Sequence, residues 1–105
     1  MNKIVNVTDQ SFDEMTRHKS LILFGAPWCG PCKSTKKCIE SIMNKLPNDI
    51  LVGYCNLESE IQLQSKMEIM TLPTLISFKD GVEVWRNIGS TNESKIIEMA
   101  DGVCT

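Results

Sequence analysis

Leu21-Ile22-Leu23-Phe24 is the feature that most restricts how this chain folds. Four consecutive apolar residues leave no polar face to give to water. A strand made of them must be covered on both sides, as happens in sheets flanked by helices. Gly25-Ala26-Pro27 ends the run, and a helical pattern follows from Pro31 to about Leu46, with Cys38, Ile39, Ile42, Met43 and Leu46 on one side. Pro47 stops it. Strand, helix and strand in that order predict parallel pairing through a crossover.

The flanking segments extend this pattern. Ile4–Val7 reads as a first strand, and Thr8 or Asp9 as the cap of a short helix with Phe12 and Met15 on one face. Ile50–Cys55 reads as a buried strand, and Ser59–Met67 as a weaker helix. Thr74–Phe78 and Val82–Ile88 flank Asp80-Gly81, the signal for a tight hairpin. Thr91 or Asn92 caps a last helix with Ile96, Ile97, Ala100 and Val103 on one side. The expected class is α/β: a five-stranded mixed central sheet flanked by four helices, in one domain over residues 1–105. A chain of 105 residues is the size of one such unit. Its net charge of −2 offers no basic groove for nucleic acid, and no apolar run is long enough to cross a membrane. The first residues lack the apolar core of a secretory signal, so a cytoplasmic location is expected.

Five cysteines, at 29, 32, 38, 55 and 104, are an odd number. That count fits free thiols in a reducing compartment better than a secreted disulfide scaffold. Two of them carry the chemistry. In Trp28-Cys29-Gly30-Pro31-Cys32-Lys33 the first cysteine falls where a strand hands over to the long helix. Unpaired amide groups and the helix dipole favour an anion there, which lowers a thiol pKa and raises the fraction of nucleophilic thiolate. Cys32 lies about one turn further in. It can close a small ring with Cys29 and is expected to be the more buried of the two. An exposed attacker with a resolving thiol is what disulfide exchange requires. Pro31 sits where a helix tolerates a missing N–H, Gly30 is expected to leave the attacker open, and Trp28 offers a flat docking surface. Two other readings compete: buried thiols that merely begin a helix, and half of a zinc or iron–sulfur site. The metal reading lacks partners. His18 is the only histidine, and Cys38 on the same helix points about 240° round and roughly 9 Å along.

With these residues in place, the sequence resembles the thioredoxin family. The Trp28–Lys33 string matches its active-site motif, and Leu72-Pro73-Thr74-Leu75 matches its cis-proline loop. Phe78-Lys79-Asp80-Gly81, Gly89 and Ser11-Phe12 match further along, so the resemblance spans nearly the whole chain. It implies the thioredoxin fold and a protein-disulfide reductase that cycles through a Cys29–Cys32 disulfide. It implies a cis Pro73 beside the dithiol, with the Thr71 and Leu72 backbone free to pair with an extended client. Trp28, Gly30, Pro31 and Gly89 complete the client-binding set, and Met70 and Ile88 join its apolar rim. Pro73 alone, without the resemblance, reads as an ordinary loop proline.

The implied partners are disulfide-containing client proteins and a separate flavoenzyme reductase, NADPH- or ferredoxin-linked, with the protein acting as a monomer. No bound cofactor is expected, because no Gly-rich phosphate loop is present. A disulfide-forming oxidase or isomerase and a non-catalytic docking subunit are the alternatives. Gly-Pro between the cysteines, which the family pairs with reducing potentials, argues against the first. Retention of both cysteines argues against the second.

The chain departs from the family at two buried positions. Leu23 stands where a buried Asp is usual, and Tyr54 where its Lys partner is usual. The acid that would relay a proton to Cys32 is therefore absent. Glu68 stands where a helix-ending Gly is common. Cys38 and Cys55 read as core residues, Cys104 as a tail thiol, His18 as solvated and Trp85 as packing across the hairpin.

Overall fold

The computed structural model describes residues 3–104. Its elements are β1 (Ile4–Asn6), α1 (Phe12–Thr16), β2 (Ser20–Gly25), α2 (Gly30–Ser41), β3 (Leu51–Asn56), α3 (Ile61–Lys66), β4 (Thr74–Lys79), β5 (Val82–Ile88) and α4 (Glu93–Cys104). The five strands form one sheet in the order β1-β3-β2-β4-β5. β3 pairs in parallel with β1 and β2, while β4 pairs antiparallel with β2 and β5. This is the mixed sheet and element order the hydrophobic pattern predicts.

Central placement explains the unbroken apolar run. Every residue of β2 is buried, and its side chains alternate between two cores. Leu21 and Leu23 face Ile39, Ile42 and Leu46 of the α2 side and Ile96, Met99 and Val103 of α4. Ile22 and Phe24 face Phe12, Leu63 and Ile69 around α1 and α3. On that second side the rings of Phe12 and Phe78 meet edge-on at 5.4 Å, a favourable aromatic geometry. The hairpin turn at Asp80-Gly81 has positive φ at both residues (54° and 80°), the backbone such a two-residue turn needs.

Three local expectations are corrected. The second helix does not run from Pro31 to Leu46: α2 starts one residue earlier and stops at Ser41, followed by a 3₁₀ turn over Met43–Lys45. The Ser41 hydroxyl donates to the Cys38 carbonyl, and the Ile42 N–H bonds three residues back to Ile39, which tightens the spiral. Ile42 and Leu46 still reach the core. Of the two cap candidates for α1, Thr8 plays that part and Asp9 does not: the Thr8 hydroxyl accepts the Ser11 N–H at 3.1 Å and its carbonyl the Phe12 N–H, while Ser11, the residue just before the helix, makes no side-chain bond to it. Asp9 instead accepts from the Leu63 N–H at 3.2 Å, at the start of α3, while Glu60 accepts from the Asp9 N–H at 2.9 Å. Asn92, one of two candidates, supplies the oxygen that receives the Lys95 N–H at the start of α4. Met99, absent from the sequence-based face of that helix, is fully buried.

Candidate active site

The site forms where β2 ends and α2 begins. Cys29 is the N-cap of α2, with extended backbone (φ −90°, ψ 108°), and its sulfur accepts the Cys32 N–H at 3.2 Å. One orphan amide of the helix start is thus spent on the sulfur, and the α2 dipole points at the same atom. The Cα atoms of Cys29 and Cys32 are 5.2 Å apart and their sulfurs stand at bonding distance. Pro31 lies in the first helical turn, where the missing N–H removes no intrahelical bond.

Burial departs from expectation at Cys29. The residue is only 6% exposed, against 1% for Cys32, so it is not an openly exposed attacker. Ala26 and Leu72 pack against the pair. Access is lateral, through a groove of about 380 Å³ lined by Trp28, Cys29, Leu57, Gln64, Met70 and Leu72, with Ala26 and Glu58. Trp28 is 71% and Met70 93% exposed, an unusual degree for large apolar side chains, and they rise on the rim. Gly30 leaves nothing within 4 Å of where a Cβ would stand, so no contact within the chain requires glycine there.

The Leu72–Pro73 peptide bond is cis, as the family motif implies. Pro73 is buried and Thr71 exposed. The Thr71 carbonyl already accepts the Thr74 hydroxyl at 2.6 Å, and the Pro73 carbonyl accepts the Gly89 N–H at 2.7 Å. Gly89 has φ +89°, a conformation that favours glycine. It braces the loop from just beyond β5 but does not line the groove, and neither does Ile88. Sequence reasoning missed Ala26, Leu57, Glu58 and Gln64. Nothing local marks these residues, which come together only when α3 folds against the end of β2.

Behind the dithiol the environment is apolar. Leu23 is 1% exposed and pairs across strands with Tyr54. A Cβ added to Gly25 would stand 3.1 Å from the Cys32 sulfur and 3.2 Å from Cε1 of Tyr54, so the phenol ring flanks Cys32. Burial, with a smaller contribution from Cys55, raises the Tyr54 pKa above its ordinary value. The phenol therefore stays protonated at neutral pH and does not replace a carboxylate base. Lys36 Nζ lies over the ring, 4.8 Å from its centroid.

Comparison with known proteins decides the family. The thioredoxin family model matches residues 3–102. Thioredoxin of Buchnera aphidicola is 31% identical over 104 residues, covering 96% of this chain and 96% of its own. Those of Mycobacterium tuberculosis and Staphylococcus haemolyticus are 32% and 33% identical, covering 94% and 93% of this chain and 89% and 95% of theirs. This chain belongs to the thioredoxin family. Two solved thioredoxins share the fold at lower identity. That of Malassezia sympodialis has a TM-score of 0.88 at 21% identity, covering all of this chain and 94% of its own. A variant from Halobacterium salinarum has 0.87 at 24%, covering 98% and 92%.

Family and geometry together make the chain a thiol–disulfide oxidoreductase, a protein-disulfide reductase whose redox couple is the Cys29–Cys32 pair. Among the described residues no cluster of three or more His, Cys, Asp or Glu side chains could hold a metal ion. Cys55, in the second core, has its thiol pushed up to about 12, chiefly by burial. Cys38 and Cys104 are half-buried free thiols against the first core. No helix among the described residues is long and apolar enough to cross a membrane.

Proposed function

We propose that Cys29 is the attacking thiol and Cys32 the resolving thiol, acting on disulfides of client proteins laid into the Trp28–Met70 groove. The observation that carries the order of attack is the position of the Cys29 sulfur. It receives the Cys32 amide at the start of α2 and faces the groove, while Cys32 is sealed behind it. The Cys29 thiolate attacks one client sulfur. The client S–S bond breaks, its second sulfur leaves as a thiolate, and a mixed disulfide remains. Cys32 then loses its proton to water or to that leaving thiolate, since Leu23 and Tyr54 provide no base. Its sulfur attacks Cys29, releases the client as a dithiol and leaves the Cys29–Cys32 disulfide.

Client docking uses Trp28, Gly30 and Pro31 on one side and Thr71, Leu72 and Pro73 on the other, with Gly89 holding the proline loop. Thr71 is exposed at the groove end of the proline loop, which favours main-chain pairing with an extended client segment. A flavoenzyme reductase, NADPH- or ferredoxin-linked, returns two electrons to the disulfide, and the protein works as a cytoplasmic monomer without a bound cofactor. Insulin reduction driven by dithiothreitol tests the assignment. Wild type accelerates it, and Cys29→Ser brings the rate to that of dithiothreitol alone. A Cys29→Ser protein as fast as wild type defeats the assignment and favours a docking subunit.

A further inference from the structure

Residues 67–73 join α3 to β4 with no regular structure, yet they form one wall of the groove through Met70 and Leu72. The β4 end of this loop is tied by the Thr71 and Pro73 carbonyls. The α3 end closes with Met67 as cap and Glu68 at φ +53°. Ile69, 2% exposed, anchors it in the second core. The Met67 carbonyl belongs to the group that a helix end leaves without intrahelical partners. Arg86, 19 residues away on β5, donates to it from Nη2 at 2.9 Å.

The guanidinium is itself held in place. Glu83 accepts from Nε at 2.9 Å and from Nη2 at 2.8 Å, and the arginine side chain is only 23% exposed. A planar fork gripped along one edge by a carboxylate has little freedom left. Arg86 pairs with Ile76, whose side chain belongs to the second core, which puts the arginine on the α3 side of the sheet. β5 and the residue that follows it therefore fasten both ends of the loop, through Arg86 at Met67 and through Gly89 at Pro73.

We propose that Arg86 is a positioning residue for client binding: its bond to the Met67 carbonyl sets where Met70, Thr71 and Leu72 stand relative to Cys29. It touches no reacting atom. The inference rests on the docking reading above, so its signature is a change in KM for a protein client with the reactivity of Cys29 unaltered.

The experiment compares wild type, Arg86→Met, which keeps the stem but removes the donors, and Arg86→Lys, which keeps the charge and a donor. Insulin reduction gives KM and kcat, and iodoacetamide labelling followed by mass spectrometry gives the intrinsic reactivity of Cys29. Arg86→Met is expected to raise KM roughly fivefold, equivalent to about 1 kcal/mol, with kcat and labelling rate at wild-type values. Arg86→Lys recovers part of the loss. An unchanged KM with a lowered melting temperature, or a parallel fall in kcat and labelling, overturns the proposal. If Arg86→Met does not fold, Glu83→Gln loosens the same guanidinium and must raise KM in the same direction; an unchanged KM there also overturns it. A wild type inactive on insulin overturns the docking reading instead.

Discussion

Leu23→Asp restores a carboxyl where the family usually has one, and the structure says what it meets. Leu23 is 1% exposed, between Tyr54 and Leu75 on neighbouring strands, in the core shared with Ile39 and Ile96. Losing a buried leucine side chain costs about 2–3 kcal/mol. Burying a neutral carboxyl without a full set of partners adds roughly 1–3 kcal/mol. The variant is thus expected to lose about 4 kcal/mol where the acid is protonated, out of the ~5–15 kcal/mol typical of a domain.

The pH dependence has a definite sign. Burial raises the folded-state pKa of this new acid above the unfolded value of about 3.9. The folded state then holds a proton that the unfolded state has lost. Stability falls as pH rises above about 4, by up to about 1.4 kcal/mol per unit, until the folded pKa is passed. A three-unit elevation, common for fully buried carboxyls, makes the further loss about 4 kcal/mol. Urea unfolding of wild type and variant at a series of pH values from 4 to 8 measures the gap, which should widen across this window. Above its folded pKa the same carboxylate can accept the Cys32 proton, so mixed-disulfide resolution, followed by stopped flow at neutral pH, should be faster than in wild type. A gap that stays constant with pH would show that the site is not an apolar cage. Resolution no faster than wild type would show that the missing acid does not limit the second step.

Two other outcomes follow from neighbouring contacts. Gly25→Ala places a methyl 3.0 Å from Cβ of Cys32 and 3.1 Å from its sulfur, so overpacking should cost about 1–3 kcal/mol in urea unfolding and shift the midpoint of a redox titration; an unchanged midpoint would mean that the dithiol is not pressed by β2. Cys55, fully buried with its pKa pushed to about 12, should resist iodoacetamide in the native protein at pH 8.5 while Cys104 labels. Its raised folded pKa also means stability held below about pH 9 and lost as pH climbs toward 12, and rapid native labelling of Cys55 would contradict both statements.

Much of the architecture was legible because it rests on short-range pattern. The unbroken run Leu21–Phe24 needed two covered faces and has them. Asp80-Gly81 needed a turn with positive φ and makes one. Cys29-Gly30-Pro31-Cys32 needed a helix start and is one. The end of α2 was not legible, because the switch to a 3₁₀ turn keeps Ile42 and Leu46 inward and so leaves the apolar spacing nearly unchanged. Asp9 looked like a cap for the helix just after it; its true partner, the Leu63 N–H, is 54 residues away.

Taken by itself, the order of residues determined the strands, the helices and the redox pair, since periodicity, turn chemistry and a two-residue spacing act over a few positions. Tertiary structure alone decided how Cys29 is reached, which side chains wall its groove, and that Arg86 of β5 holds the end of α3. Those features depend on groups far apart in sequence meeting at hydrogen-bond or van der Waals distance. No local pattern encodes such a meeting, because the packing of helices on the sheet sets it.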